Sequence, residues 1–294
     1  MADPIRIEFT RFSAFYSPLI ATIAGGFLKD EGFEPEYGVS KPGVSAIAGL
    51  LDGSVQVAQS APSQGFAQLE KNQRPSVAHF AQINEMDGFF LTGRKPEPAF
   101  KWSNLRGKRI LVDHGGQPLA MFKYACHKRG LNFADIVAVN VPSAEMEAAF
   151  RRGEGDYIHH QGPHPQQLEF DKAGHIVASC GAAIGPCAFS SLVATRDWLL
   201  TPQAKRFMRA YRKARAFVIQ SPAAAVAKLE APFFPTIDTT VLAKTIGAYQ
   251  KLGNWTPHVE ITKPAWEAVN EIFLHSKLIT RRHRYEDVIV QPPG

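Results

Sequence analysis

The 294-residue sequence predicts an α/β protein with two Rossmann-like lobes and a helical C-terminal region. An internal repeat is the first observation behind this prediction, because residues 6–58 and 109–158 each read as strand, helix, strand, helix, strand. The second observation is that glycines end the helices of both copies at similar spacings. These glycines are Gly32 and Gly53 in the first copy and Gly130 and Gly153 in the second. Two such lobes enclose a cleft, and clefts between lobes bind small ligands.

Each lobe is predicted from alternating strand-like and helical patterns. In the first lobe the predicted strands are residues 5–10, 33–39, 55–58 and 76–80. The predicted helices are residues 17–30, a helix that begins at Pro42 and Gly43 and ends at Gly53, and residues 63–71. In the second lobe the strands are residues 109–112, 136–141 and 156–159, and the helices are residues 118–129 and 143–152.

Two segments are predicted to cross between the lobes. Residues 88–92 read as a crossing strand followed by a polar, proline-containing linker at 93–102, and residues 190–195 read as the strand that returns. The first lobe is therefore predicted to comprise residues 1–92 and 190–294, and the second residues 93–189. After residue 200 the pattern is helical, over 204–220, 222–229, 239–252 and 263–277, and this region is expected to pack on the first lobe.

Composition and charge restrict the class of protein. No run of eighteen apolar residues predicts a membrane span, and three cysteines without a CxxC spacing argue against a disulfide framework. The net charge of +6 favours an acidic ligand or a polyanion, although the basic residues of 206–215 fit a solvated helix face better. No zinc-finger, RNP or basic-zipper pattern occurs, so no nucleic-acid partner is expected. We expect a monomer that binds a small molecule.

Ligands of α/β lobes meet the loops at the carboxyl ends of the strands, close to helix N-termini. Two of these loops lie in the first lobe. The loop after the first strand offers hydroxyl groups, backbone N–H groups and aromatic rings, and the loop after the third offers hydroxyls at a helix start. The candidate ligand-binding residues are Phe12, Ser13, Phe15, Tyr16, Ser60, Ser63 and Gln64. The alternatives are that the aromatics are core residues and that the serines are simple helix caps.

The other two loops lie in the second lobe. Two glycines at 115–116 allow the backbone to approach a ligand, and three histidines occur within six residues where the last strand ends. The candidate residues here are His114, Gly115, Gly116, His159 and His160. A tight turn and a solvated polar loop are the alternatives.

A metal site is a further alternative for the histidine loop. Cys180 and Cys187 flank residues 181–186 and could combine with His159, His160 or His164 to bind a transition metal or to form a Cys/His nucleophile pair. The set weighed for the metal is His159, His160 and Cys187. Neither spacing is a known tight motif, so buried inert thiols are the favoured interpretation, and no cofactor is expected.

Several segments together resemble the type II periplasmic binding protein family, in its sulfonate, nitrate, taurine and thiamine-precursor branch. The segments are FSAFYSP at 12–18, GVSAIAGLLDG at 43–53, SNLRGKRI at 103–110, AAFRRGEGD at 148–156 and PHPQQLE at 163–169. Two differences from the usual family pattern are Gln161-Gly162-Pro163, where an aromatic-acid-proline sequence is typical, and the lack of a leader before Met1. If Met1 is the native start we expect a cytoplasmic protein, and if a leader was removed a periplasmic one.

The resemblance implies a solute-binding protein of ABC-transporter type, with a hinge of two crossing segments. Such a protein closes on a small anionic or aromatic molecule and delivers it to an ABC permease. The alternative is a cytosolic enzyme on the same fold, similar to thiamine-pyrimidine synthases or acting as a histidine- or metal-dependent decarboxylase or hydrolase. Resemblance to aryl-sulfinate desulfinases fails at the nucleophile, because the chain has no cysteine before Cys126. Fold alone does not decide between binding and catalysis.

Overall fold

The computed structural model describes residues 2–41 and 44–294, so the predicted helix start at Pro42 and Gly43 lies outside the described residues. The strands are β1 (Asp3–Phe9), β2 (Phe33–Val39), β3 (Val57–Ser60), β4 (Val77–Asn84), β5 (Phe89–Gly93), β6 (Arg109–Val112), β7 (Val137–Asn140), β8 (Tyr157–Gln161), β9 (His175–Ser179) and β10 (Ser190–Thr195). The helices are α1 (Ser17–Ala24), α2 (Phe27–Asp30), α3 (Ala48–Leu51), α4 (Phe66–Glu70), α5 (Gln117–Lys128), α6 (Ser143–Arg151), α7 (His164–Phe170), α8 (Cys180–Ile184), α9 (Pro202–Gln220), α10 (Ala223–Glu230), α11 (Thr239–Leu252), α12 (Lys263–His275) and α13 (Tyr285–Val288).

Two five-stranded sheets share one plan. The first has the order β2-β1-β3-β10-β4 and the second the order β7-β6-β8-β5-β9. In each sheet, three parallel strands come from one copy of the repeat. The third of them, β3 or β8, pairs on its other side with an antiparallel strand, which is β10 in the first sheet and β5 in the second. The repeat and the α/β fold class predicted from the sequence are therefore confirmed.

The chain crosses twice between the sheets. The first crossing is the short segment 85–88 between β4 and β5, and the second is the segment from α8 to residue 189, which leads into β10. The predicted lobe limits stay a prediction, but they assign residues 89–92 to the first lobe, whereas β5 pairs with β8 and β9 in the second sheet. The buried apolar residues of this strand do not reveal which sheet they enter.

Local differences from the predicted elements have physical reasons. The helix predicted over 17–30 is interrupted, because Gly26 adopts φ 75° as the residue before α2. The strand β9 was not predicted, since all five of its residues are only partly buried and show no alternation. The β2 strand has the predicted bounds, and α6 agrees with its prediction to within one residue.

The C-terminal helices pack mainly on the first lobe. Helix α9 packs against α1 and α2, and α10 packs against α1 and α11. Two further contacts reach the second lobe, because α11 packs against α7 and α12 against α5. Among the described residues, no helix has the length and apolar character needed to cross a bilayer.

Most basic residues of α9 lie at the surface, as predicted, but Arg215 does not. Arg209 and Lys213 form ion pairs with Glu31 at 2.8 and 3.0 Å. Arg215 is 1% exposed and donates to the carbonyl oxygens of Ile83 and Thr256 at 3.0 and 2.7 Å. Arg215 thus holds backbone at the end of β4 and is not part of a solvated helix face.

Candidate ligand site

A cavity of about 520 Å³ lies between the carboxyl ends of strands from both sheets. Its walls come from β3, from the loops after β1, β2, β3 and β6, from the first residue of β5, and from the end of the second crossing segment with the start of β10. The lining residues are Thr10, Arg11, Ser40, Lys41, Val44, Ser45, Ala46, Gln59, Ser60, Ala61, Gln64, Phe89, Asp113, Gly115, Gln117, Pro118, Phe189 and Ser190. We call this the first cavity.

A hydrogen-bonded polar network forms the first-lobe wall of the first cavity. The backbone N–H of Thr10 donates to Gln59 Oε1 at 3.0 Å, and Gln59 Nε2 donates to Ser190 Oγ at 2.8 Å. Ser190 Oγ donates in turn to the carbonyl oxygen of Ser60 at 3.3 Å. This network fixes the loop after β1 against β3 and β10, so that the next residue, Arg11, projects from an ordered wall.

The second-lobe wall is built at the start of α5. Asp113 accepts hydrogen bonds from the Gly115 N–H at 2.8 Å and from Ser143 Oγ at 2.5 Å. Gly116, with φ 84°, precedes the helix, and Gln117 and Pro118 bring its N-terminal turn to the cavity. The positive end of the helix dipole at this position favours a negatively charged group.

The charges on the cavity walls are predominantly positive. Arg11 and Lys41 line the cavity, and Asp113 is the acidic residue among its lining side chains. Within the described parts of the chain, neither Arg11 nor Lys41 has a carboxylate oxygen within 4.0 Å. Arg11 lies two residues after the end of β1 and lines the cavity, so its charge is available to a bound anion.

A second cavity of about 340 Å³ adjoins the first and shares Thr10 and Arg11 with it. Its other lining residues are Phe12, Ser13, Ser143, Ala144, His160, Gln161, Gly162, Pro163 and His164. Ser13 Oγ donates a 2.6 Å hydrogen bond to the carbonyl oxygen of Gly162, which joins the first lobe to the second at this point. Arg11 therefore lies on the wall common to two adjacent cavities.

His160 is buried beside the second cavity and is held as a neutral ring. The Gln161 N–H donates to its Nδ1 at 2.7 Å, and its Nε2 donates to the carbonyl oxygen of Ser143 at 3.0 Å. Burial, reinforced by the charges of His164 and Arg11, lowers the pKa of His160 to about 3. Both ring nitrogens thus form hydrogen bonds with the backbone, and these bonds fix the ring in the wall of the second cavity.

His164 forms the outer side of this wall. Its Nδ1 lies 2.6 Å from Glu147 Oε2, and its ring centroid is 4.3 Å from that of His160. Burial tends to raise the pKa of Glu147, but the hydrogen bonds from His164 and Arg151 hold that pKa below its usual range. Glu147 therefore stays ionised and orients the His164 ring at the cavity.

Six of the residues predicted from the sequence line these cavities. They are Ser60, Gln64 and Gly115 in the first cavity and Phe12, Ser13 and His160 in the second. The structure brings them together from both halves of the chain, as the strand-end argument predicts. Their contact with a ligand stays a prediction.

The other six predicted residues line neither cavity. Phe15 packs against Phe189 and Tyr249 in the core, and Tyr16 is also buried. Ser63 Oγ donates to Gln117 Oε1 at 2.6 Å, so this hydroxyl is occupied. The remaining three are His114, which is exposed, Gly116 and His159.

His159 lies in the core of the second lobe. Its ring stacks between Phe89 and Phe122, with centroid distances of 4.6 and 4.8 Å, and it is 0% exposed. Desolvation lowers the pKa of His159 to about 3, so the ring is neutral. Because β-strand side chains alternate between faces, His160 points to the cavity wall and His159 to the opposite side.

The cysteines are buried away from both cavities. Cys126, Cys180 and Cys187 are free thiols with 0% exposure, and burial raises the pKa of each. In the part of the chain that the structure describes, no three His, Cys, Asp or Glu side chains converge as a metal-binding group. His159, His160 and Cys187 therefore do not form the cluster weighed from the sequence.

Sequence reasoning did not single out the charged residues of the site. Arg11 and Lys41 each follow a strand, β1 and β2, at the edge where ligands bind. A basic residue two positions after the end of a strand in a parallel unit is the signal that could have identified them. Gln59 was also missed, because its side chain lies within β3 and its partners are distant in sequence.

Two sheets of one plan, two crossing segments and a cleft between the strand ends define the type II periplasmic binding protein fold. Solved structures of this fold align over nearly the whole chain. The alkanesulfonate-binding protein SsuA from Xanthomonas axonopodis pv. citri, bound to MOPS, has a TM-score of 0.75 at 17% identity and covers 99% of this chain and 100% of its own. The periplasmic aliphatic sulphonate binding protein SsuA from Escherichia coli has a TM-score of 0.76 at 14% identity, over 99% and 93%.

Sequence comparison assigns the family. The NMT1/THI5-like family profile matches residues 14–225, and the chain belongs to this family. A curated relative, "Putative binding protein YtlA" of Bacillus subtilis (strain 168), is 26% identical over 290 residues, which are 97% of this chain and 87% of that protein. The resemblance predicted from the sequence motifs is thereby confirmed.

Proposed function

We propose that this protein is a solute-binding protein of ABC-transporter type that captures a small organic anion in the first cavity. The observation that carries the anionic ligand is Arg11, a guanidinium on the cavity wall with no carboxylate partner among residues 2–41 and 44–294. Lys41 and the positive end of the α5 dipole add to the positive electrostatic potential in the first cavity. An anion bound here would give Arg11 the negatively charged partner that the described residues do not supply.

The cavity also indicates the size and the apolar part of the ligand. A volume of about 520 Å³ lies within the range of small-molecule sites, which is about 300–1,000 Å³. Phe89 and Phe189 add two aromatic rings to the lining that also contains Thr10 and Gln59. This arrangement supports a molecule with an anionic end near Arg11 and an apolar or aromatic portion against the two rings.

Capture would proceed by closure of the lobes about the two crossing segments. Ser13 to Gly162 and Ser63 to Gln117 are hydrogen bonds between the lobes, both 2.6 Å long, and they close the cleft on two sides. Tyr249 lies at the hinge, because its hydroxyl accepts from the Gly162 N–H at 2.8 Å and donates to the Gly88 carbonyl at 2.9 Å. The name of YtlA supports a binding role, and the periplasmic sulphonate-binding protein SsuA of Escherichia coli supports a periplasmic location. Delivery to an ABC permease is what the family resemblance implies.

The test is native mass spectrometry of the purified protein, followed by a thermal-shift screen of sulfonates, carboxylates and their uncharged amides. We expect a retained or selected ligand with an acidic group, and we expect no conversion of that ligand on prolonged incubation. Selection of an uncharged or cationic compound would contradict the anionic ligand. Turnover of the bound compound would favour the enzyme alternative instead.

A further inference from the structure

A third cavity, of about 320 Å³, lies in the first lobe between the turn after α4 and the segment before α13. It shares no lining residue with either cleft cavity. Its lining residues are Leu69, Asn72, Gln73, Arg74, Arg281, Arg282, His283, Arg284 and Asp287. We call it the arginine cavity, because four of its nine lining residues are arginines.

Two of the four arginines are neutralised by carboxylates. Arg282 forms ion pairs with Glu267, at 3.1 Å, and with Glu271. Arg284 donates from Nη2 and Nε to the two carboxylate oxygens of Asp287, at 2.9 and 3.2 Å. The charges of these two side chains are therefore already matched within the protein.

The other two arginines have only uncharged partners. Arg281 donates from Nη2 to the Leu69 carbonyl at 2.8 Å and to Asn72 Oδ1 at 2.5 Å. Arg74 donates to the Glu286 carbonyl at 3.2 Å, while the Glu286 carboxylate pairs with Lys263. No carboxylate oxygen of the described residues lies within 4.0 Å of either guanidinium, and both side chains keep N–H groups free.

Asp287 is a carboxylate near several arginines around this cavity. The hydrogen bond from Arg284 holds the pKa of Asp287 below its usual range, and the charges of Arg74 and Arg196 lower it further. Arg196 donates to the Asp287 carbonyl at 2.9 Å, and its Nε is buried without a hydrogen-bond partner in the described structure. The nearby Glu70 is engaged by His283 and Thr280. Positive charge is therefore in excess here.

We propose that the arginine cavity binds a phosphate group, with Arg74 and Arg281 as its charged ligands. Arginine guanidinium groups match the oxygens of a tetrahedral dianion through paired N–H donors, and Asn72 and Gln73 add neutral polar groups to the same wall. A single phosphate fills only part of the volume, so the ligand is a phosphomonoester or phosphate head group whose remainder extends into solvent. This site is independent of the anion proposed for the cleft.

The test is a ³¹P NMR titration of the full chain with inorganic phosphate in a chloride-free buffer of low ionic strength. We expect saturable binding that Arg74→Gln and Arg281→Gln each weaken about tenfold or more, the scale of a lost charged hydrogen bond. Arg152→Gln is the matched control, since Arg152 is exposed in the second lobe and paired with Glu154 at 2.8 Å. It should change phosphate affinity less than about twofold.

Arg74→Gln keeps the test decisive if Arg281→Gln disturbs folding, because the Arg74 side chain is exposed and makes a single 3.2 Å contact. Vesicles of phosphatidylcholine with and without phosphatidic acid distinguish the source of the phosphate. Sedimentation with the acidic vesicles that depends on Arg74 assigns a lipid head group, and binding of free phosphate alone assigns a soluble phosphomonoester. Phosphate binding that is absent, or that neither variant weakens, overturns the proposal.

Discussion

Ser63 and Gln117 lie on opposite sides of the cleft, and a 2.6 Å hydrogen bond from Ser63 Oγ to Gln117 Oε1 joins them. Gln117 also donates from Nε2 to the Phe189 carbonyl at 3.2 Å, so its amide contacts the first lobe and the second crossing segment together. One side chain, that of Gln117, thus connects the start of α5 both to the first lobe and to the second crossing segment.

Ser63→Ala should favour an open form of the ligand-free protein. The substitution removes one interlobe hydrogen bond, which contributes about 0.5–1.5 kcal/mol, and leaves Gln117 Oε1 without this donor. Small-angle X-ray scattering should show a larger radius of gyration than for the unchanged protein. Ser54→Ala is the control, because Ser54 is exposed and its hydroxyl contacts Gly49 within the same lobe. Equal radii for Ser63→Ala and the control would contradict a role in closure.

Arg11→Gln should weaken binding of the ligand selected in the screen. We expect a loss of about 1.5–3 kcal/mol in binding free energy, because a charged hydrogen bond to the anion is removed and replaced at most by a shorter, neutral amide. Isothermal titration calorimetry measures the change. Arg106→Gln, an exposed residue paired with Asp135 at 3.5 Å, is the control for net charge. Unaltered affinity in Arg11→Gln would exclude Arg11 as the anion's partner.

Asp87 should make stability fall with rising pH. This carboxyl lies in the first crossing segment with 0% exposure, and burial raises its pKa to about 7, although the Phe89 N–H donates to it at 2.6 Å. The folded state therefore retains a proton that the unfolded chain releases near pH 3.8. The contribution is fully present below that pH, declines by about 1.4 kcal/mol per pH unit above it, and levels off above about pH 7.

Urea unfolding at pH 5 and pH 8 measures this effect for Asp87. The loss of unfolding free energy between the two pH values should be larger in the unchanged protein than in Asp87→Asn, whose side chain stays neutral at both. Other groups titrate equally in the two proteins, so the difference isolates Asp87. A pH dependence that is the same in both would show that Asp87 is ionised in the fold.

His159→Ala should destabilise the fold without a direct effect on ligand contact. Removing a ring stacked between Phe89 and Phe122 leaves a cavity, and truncations of this kind cost about 2–5 kcal/mol. Chemical denaturation should show this loss, while His114→Ala, at an exposed position, should leave stability nearly unchanged. If His159→Ala lowers ligand affinity in fully folded protein but not stability, the packing role is wrong.

Features that depend on residues close together in the sequence could be predicted, and features that depend on residues far apart in the sequence could not. The repeat and the succession of strands and helices along each copy depend on local periodicity, and the structure confirms them. The loops selected at the strand ends contribute residues to the walls of the two cavities. The assignment of β5 to the second sheet depends on its pairing with β8 and β9, which no local pattern records. Alternation along β8 places His160 and His159 on opposite faces of the sheet, but which face meets the cavity depends on the elements packed against the strand.

The site residues show the same division. The strand-end rule selects Ser60 and Gly115, and both line the first cavity because backbone geometry alone brings them to the cleft. Whether Arg11 is free or paired depends on which carboxylates the rest of the chain brings near it. The hydroxyl of Ser63 looks available in the sequence, but it is occupied by Gln117 from the other lobe.

The position of β10 affects how this chain acquires its structure as it is made. The second sheet takes all its strands from a continuous stretch, β5 to β9, and is complete once residue 179 has left the ribosome. The first sheet needs β10 between β3 and β4, so its two halves have unpaired edges until residue 195 appears. The lobe that begins the sequence is therefore the last to be finished, and until then its unpaired strand edges are open to pairing with other chains.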